Sequence, residues 1–589
     1  MEPFEDLGVP LRKAGFRGCI IGPDVSGEKE LLYFNFSQGG GNLFLVAVDP
    51  DSGSSKQYDA DVGPGAHGLI LGPDKRIYLG TWGEGLVLRF DPGHPEMGIR
   101  VLGRPAESET YIWMYTIGGD GKIYGGTYGN AKLISCCPET DELRDLGRMD
   151  PTQMYTRSVA TGKDGRIYVG VGIGDGDVVV YDPWKGTHGS IVPDELKGQF
   201  KQGRVTSGRD GHAYAQIGSA WYRCESGELQ SVGSPAAPPE IRLSSGEVVE
   251  TTGNGFYSIR YPDGRTEHRT FEYRGSGVAI FHVAEGPFGR IYGSSAMPLE
   301  LFEYDPETDG TRHLGNPTDV NGEIYSMATL HGLLYVCAYP GSWLSVYDPR
   351  KPWDYGTSAG SNPRGIGYAG EGHLRPRAMI VGPDERLYIG SLPPYGEHGG
   401  ALGVYDPEED EFIENYRNLV PNQGVMSLAY EPESALIFGG TNISGGGGTV
   451  PIEHEAHLWA WDIEDREKVT DIIPIPGDAC IGALLGHDGM VFGYSRPSGS
   501  IFRFEVDSEK VDVLHRVEEG VPDLSMGIME GMIYGLSHEY VFRLDPGSGH
   551  YRILDRYHRG IDAGFAMNKT GIYFGSGAHL VRYPLDRHL

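Results

Sequence analysis

The segment HGLILGPDKRIYLGTWGEGLVLRFDP, beginning at His67, returns in altered form along the whole chain. It reappears as WMYTIGGDGKIYGGTYGNAKLISCCP from Trp113 and as RSVATGKDGRIYVGVGIGDGDVVVYDP from Arg157. A longer version, RAMIVGPDERLYIGSLPPYGEHGGALGVYDP, starts at Arg377, and a degenerate copy, AGFAMNKTGIYFGSGAHLVRYPL, lies near the end. Each copy reads as four short strands. An apolar run leads into a Gly-x-Asp-Gly-like turn that supplies the positive φ of a tight hairpin. An alternating run such as RIYLGT follows, then a Gly-rich connection, a third run closed by Asp-Pro, and a fourth polar-apolar strand.

Four antiparallel strands in roughly 45 residues is the period of a β-propeller blade. About 13 copies are visible, with starts near Gly18, His67, Trp113, Arg157, Arg204, Ile241, Val278, Ile324, Arg377, Val425, Ile481, Leu524 and Ala563. A propeller holds about four to eight blades, so the expected fold is all-β, with two propellers of roughly six to seven blades each. The expected division is residues 1–275 and 276–589. The opening FEDLGVP resembles an orphan fourth strand, whereas the last copy stops after its third. Either those ends pair, so that one ring holds both termini and the other is nested in it, or the N-terminal strand closes the first ring alone.

Composition limits the partners. Against 50 Lys and Arg stand 81 Asp and Glu, a formal charge of −31 that disfavours nucleic acid and anionic membrane. No apolar run is long enough to cross a bilayer. The N-terminus lacks the apolar core of a secretory signal, so a cytoplasmic location is expected, or secretion if a signal was removed. Six scattered cysteines without a CxxC spacing read as buried free thiols.

In a propeller the inner strand of every blade lines the channel, and the loops entering it and leaving the second strand open on one face. Residues at matching repeat positions therefore converge. In the N-terminal copies this gathers His67, Trp82, Glu84, Tyr111, Trp113, Tyr128, Tyr155 and Arg157, followed by Arg204. Aromatic rings stack on the apolar face of a sugar, Arg holds a carboxylate bidentately, and His or Tyr moves a proton. The same residues could equally plug the channel. In the C-terminal copies the rule gathers Tyr325, Tyr339, His373, Arg375, Arg377, Tyr395, His398, Asn442, Glu453, His454 and Glu455, on unusually long connections.

Several motifs fail on context. SGGGGTVP lacks the Lys-Ser/Thr of a phosphate loop and leads toward a strand. In HEAH the i, i+3 spacing on a strand puts His454 and His457 on opposite faces, unlike a helical zinc motif, and His457 reads as structural. GPDKR, GKDGR and GPDER lack the ligand spacing of a calcium loop and read as hairpin turns. No metal ligands are assigned and no cofactor is required, although the acidic composition leaves room for a structural divalent cation in a channel.

The repeats GKDGRIYVGVGIGDGDVVVYDP and GGDGKIYGGTYGNAKLISCCP resemble the broad class of PQQ-like, NHL and lactonase-type propellers, over nearly the whole chain. Within that class, the His, Tyr and Arg residues on the channel resemble the equipment of propeller polysaccharide lyases of the ulvan lyase and rhamnose-glucuronate lyase type. That resemblance implies β-elimination on a uronic-acid-containing saccharide. His67 and Tyr128 would be acid and base, and Arg157 would neutralise the carboxylate. Trp82, Trp113, Tyr155 and Arg204 would bind substrate, as would His373, Arg375, Arg377, Tyr395, His398, Asn442 and His454 if the second ring takes part. The expected partner is an acidic carbohydrate. A glycoside hydrolase on the same pocket and a non-catalytic binding or scaffold propeller are the alternatives.

Overall fold

The structure is a computed structural model that describes residues 3–585. Eleven four-stranded antiparallel sheets and one eight-stranded sheet account for the strands. The larger sheet is two blades joined only where Asn442 pairs with Cys480, so the described residues form thirteen four-stranded blades. The chain is an all-β propeller protein, as the repeat period predicts. Among the described residues no helix is long and apolar enough to cross a membrane.

Two compact units divide the blades. Unit 2, Lys13–Ser276, contains six, whose inner strands are Gly15–Pro23, Ala66–Leu71, Tyr111–Ile117, Thr156–Thr161, Arg204–Ser207 and Ile241–Arg242. Unit 1 combines Met1–Arg12 with Gly277–Leu589 and contains seven. Its inner strands are Ile280–Glu285, Ile324–Leu330, Arg375–Val381, Gly424–Glu431, Cys480–His487, Met526–Met529 and Ala563–Asn568. The chain thus departs from a plain division at 275/276, because residues 1–12 belong with the later blades. Of the two ways to close the rings, the structure has the paired ends. Glu5 and Asp6 form the fourth strand of the last blade against Arg582 and Val581. Phe4 anchors that strand, its ring 4.9 Å from Tyr557 and 5.2 Å from Tyr583.

The repeated letters have a physical cause. In GPDKRIY and its relatives the Asp carboxylate accepts a hydrogen bond from the Tyr hydroxyl four residues on. This happens at Asp74–Tyr78, Asp120–Tyr124, Asp164–Tyr168, Asp210–Tyr214 and Asp384–Tyr388, at 2.7–3.0 Å. The same carboxylate caps the turn by accepting the backbone N–H two residues on, as Asp164 does from Arg166. Arg of the turn then reaches the Asp of the Asp-Pro corner, at Arg76–Asp91, Arg166–Asp182 and Arg386–Asp406. These turns are hairpin locks. Replacing Asp164 by alanine leaves the Tyr168 hydroxyl without that acceptor, and should lower the stability of unit 2 by about 1–3 kcal/mol in chemical denaturation.

Between blades the cores are apolar. One cluster joins the first and sixth blades of unit 2 through Phe34, Phe36, Tyr257 and Phe271, which closes that ring. The corresponding seam of unit 1 joins Ile280, Val283 and Phe302 to Ala563 and Tyr573. The six cysteines are free thiols, four of them buried.

Candidate functional site

Four of the six inner strands of unit 2 share a defect at one position. In unit 2 the pairing with the second strand slips at Phe16/Gly18, Ala66/Gly68, Ile112/Met114 and Thr156/Ser158. A β-bulge of this kind re-aims the extra side chain and leaves its strand paired on both sides. The residues so placed are Arg17, His67, Trp113 and Arg157. They come from four consecutive blades and lie near the strand beginnings, at the mouth of the channel.

These side chains and the residues leaving the second strands meet in one aromatic tray. The His67 ring lies parallel to Trp113 at 4.6 Å and tilts against Trp82 at 4.7 Å. Tyr111 stacks on Trp113 at 5.1 Å, and Tyr128 packs against Tyr155 at 4.4 Å. A guanidinium lies at each side, Arg157 at 4.7 Å from the Trp113 ring centre and Arg17 at 4.7 Å from that of Trp82. Such face-on placement holds a cation against the rings, and the Arg17 Nε–H also donates to Ser37 Oγ at 3.3 Å. Gly65 is required here, since a Cβ would stand 2.3 Å from the Trp82 ring. The Trp113 indole Nε1 is buried without a protein hydrogen-bond partner.

Electrostatics set the state of the imidazole. Burial, and then the charges of Arg17 and Arg157, push the pKa of His67 down to about 3. His67 is therefore neutral near pH 7, with one ring nitrogen able to accept a proton.

Seven of the residues expected in this site are brought together: His67, Trp82, Tyr111, Trp113, Tyr128, Tyr155 and Arg157. Arg204 stands apart, exposed on an inner strand without a bulge, with Gln202 as its hydrogen-bond partner. Arg17 was not anticipated. Its signal in the sequence is a large side chain followed by a small one, as in Arg17-Gly18, His67-Gly68 and Arg157-Ser158.

In unit 1 the expected residues divide into four groups. Arg375 lies over Tyr339 at 4.9 Å and donates to the Tyr395 hydroxyl at 3.0 Å, and the two phenols bond each other at 2.9 Å. Arg377, at a bulge, lies over Tyr325 at 4.8 Å and pairs with Asp523 at 3.3 Å. His373 is a wall residue instead, buried between Ser391 Oγ at 2.7 Å and Asn415 Oδ1 at 3.2 Å.

The remaining residues belong to a brace between two long loops. Gly446 donates to the Glu397 carbonyl, Gly396 donates to the Gly447 carbonyl, and His398 Nε2 lies 2.9 Å from the Val450 carbonyl. A Cβ on Gly446 would lie 1.7 Å from the Pro394 carbonyl oxygen and one on Gly445 2.3 Å from Thr449 Oγ1, which explains glycine at these two positions. Asn442 accepts from the Ser444 N–H at the start of this loop, and His454 is exposed on it. Glu453 and Glu455 are used within the brace, by Asn422 and by the Gly477 N–H. The brace fixes Tyr395 beside Arg375. Among the described residues no group of three or more His, Cys, Asp or Glu is arranged to hold a metal ion.

Buried neutral histidines make the chain acid-sensitive. Burial pushes His282 and His373 down to about 4, alongside His67. Each folded pKa lies below the unfolded value, so the unfolded chain takes up protons that the folded one refuses, and stability falls as pH falls. Melting temperatures should therefore drop between about pH 6.5 and 5, above the range in which carboxylates titrate. A flat profile there would contradict the neutral burial.

No family model matches the chain, and no curated protein matches it. Solved structures do. The chain is similar over 98% of its length to the extracellular domain of the one-component system BT4673 of B. thetaiotaomicron, with 11% identity, 82% of that chain covered and a TM-score of 0.38. PorZ, a surface component of the type-IX secretion system of Porphyromonas gingivalis, is similar over 98% of this chain and 86% of its own, at 12% identity and a TM-score of 0.39. Hydrazine synthase of Kuenenia stuttgartiensis is similar over 52% of this chain and 95% of its own, at 15% identity and a TM-score of 0.41. At these values none of the three bears on what this chain does.

Proposed function

We propose that the six-bladed unit takes a uronate-containing saccharide at its channel mouth and cleaves it by β-elimination, in the manner of propeller polysaccharide lyases. The observation that carries this reading is the tray itself: a neutral imidazole stacked among tryptophans and tyrosines, with a guanidinium at either side. The Trp113 indole N–H supplies a further donor for a sugar oxygen.

The residues have separate tasks. Trp82 and Trp113 offer faces to the sugar ring, and Arg157 with Arg17 holds the carboxylate, which acidifies the adjacent C5–H. His67 takes the C5 proton. The electron pair becomes the C4–C5 double bond as the C4–O bond breaks, and the Tyr128 hydroxyl gives its proton to the departing oxygen. Solvent then reprotonates Tyr128 and deprotonates His67. Burial is the larger cause of the low basicity of His67 and stays in place, while a bound carboxylate opposes the smaller part due to the two arginines. This chemistry calls for no cofactor.

A panel of uronate polysaccharides, followed by ultraviolet absorbance of the unsaturated product, tests the reading. Absorbance should appear with at least one and vanish in His67→Ala. A second reading, capture without turnover, is favoured by the low resting basicity of His67, and it predicts saturable binding with no absorbing product. A hydrolase would release reducing ends without that absorbance, and none of the residues gathered in the tray is the carboxylate such chemistry needs.

A further inference from the structure

In unit 1 the bulge positions carry Phe281, Tyr325, Arg377 and Met426 from consecutive blades, and then Gly482. The channel holds a cavity of about 180 Å³ lined chiefly by Phe281, Tyr325, Arg377, Asp523, Leu524 and Asp562. The glycine keeps the space beside Asp523 open, since a Cβ there would stand 3.2 Å from Asp523 Oδ1. Pockets for drug-sized ligands span about 300–1,000 Å³, so this one has room for a single small ring.

Its walls define the chemistry. Phe281 and Tyr325 meet edge to face at 4.7 Å, and the Arg377 guanidinium covers Tyr325. Arg377 donates through one terminal nitrogen to Asp523 Oδ2 at 3.3 Å, and Arg496 lies 2.9 Å from Asp523 Oδ1. Two polar atoms remain over. Arg377 Nε is buried with no protein acceptor, and Asp523 Oδ1 is buried with no protein donor in hydrogen-bonding geometry, despite its ion pair. A ligand acceptor would satisfy Arg377 Nε, while Asp523 Oδ1, held by its ion pair with Arg496, can still accept from a ligand donor. Asp523 is paired with Arg377 and with Arg496, which lies outside the lining, and Asp562 accepts from the Gly577 N–H, so each charge of the wall already has a partner. A hydroxyl group both accepts and donates, and an apolar ring face suits Tyr325 and Phe281.

We propose that this cavity binds a neutral monosaccharide, with its ring against Tyr325 and Phe281 and adjacent hydroxyls on Arg377 Nε and Asp523 Oδ1. The site is separate from the uronate tray and shares no residue with it, so either can fail without the other.

Calorimetric titration of the whole chain with glucose, galactose, mannose and rhamnose, each in millimolar excess, tests it, with glucuronate and glucosamine as the charged comparison. At least one neutral sugar should bind saturably, and both Tyr325→Ala and Gly482→Val should weaken it at least about tenfold. The first removes the platform, while the second fills the space without removing a polar group. Thermal melting of each variant confirms that it is folded, and Asp523→Asn, which removes one charge with little change in shape, provides a third probe with the same expected direction. The proposal is overturned if no neutral sugar binds, as when the cavity holds water alone. It is overturned equally if a charged sugar binds tighter than every neutral one, or if folded variants bind as the unaltered chain does.

Discussion

Replacing Arg157 by methionine should lower kcat/KM on a uronate polysaccharide by roughly 30-fold to 5,000-fold, the kinetic equivalent of the 2–5 kcal/mol at stake when a charged hydrogen-bonded partner is truncated. Methionine keeps much of the packing over Trp113 and Tyr155 and removes only the charge and the donors, so the loss reports carboxylate recognition. Lysine should restore part of it, because it keeps the charge and loses the planar fork. Binding of a neutral oligosaccharide of the same backbone should change far less. Equal loss on both substrates would mean that Arg157 acts by shaping the tray.

The largest stability effect is expected at the other end of the chain. Phe4→Ala should destabilise unit 1 by about 3–5 kcal/mol, the usual cost of truncating a buried phenylalanine. Phe4 sits among Tyr557, Phe574 and Tyr583, and the next two residues form the fourth strand of the last blade. Glu5 and Asp6 add pairs to Arg582, Arg559 and His579. Loss of the anchor should free the strand His579–Tyr583 along one edge, so amide exchange at residues 579–583 should accelerate. Exchange unchanged from that of the parent chain would contradict the paired ends.

The repeat was legible because its letters perform local work. Asp74 and Tyr78 hold one hairpin, Asp164 and Tyr168 another, and the same constraint acting in blade after blade writes the same letters. Much of the tray was legible for the same reason, since matching repeat positions converge in any propeller. Bulges were legible only as a large residue before a small one, a pattern that Trp113-Met114 does not follow. They depend on pairing between strands, and the extra residue at Arg17 lies one place before Gly18, where the first copy begins by its apolar pattern. His373 shows the opposite failure. Its neighbourhood, HLRPR, suggests an anion site, yet only the two arginines reach the channel side, while Ser391 and Asn415 from the neighbouring strands hold the imidazole in the wall. The glycine run at 445–448 is rejected as a phosphate loop from its context, but its reason is not legible, because the group that Gly446 approaches, the Pro394 carbonyl, is about fifty residues away in sequence, beyond any local pattern.

The most direct test of the central claim is a crystal structure of the chain soaked with a uronate oligosaccharide, using His67→Ala to prevent turnover. The account predicts a sugar ring on Trp113 or Trp82, with its carboxylate against Arg157 or Arg17. A saccharide bound elsewhere, with the tray unoccupied at saturating concentration, would contradict it.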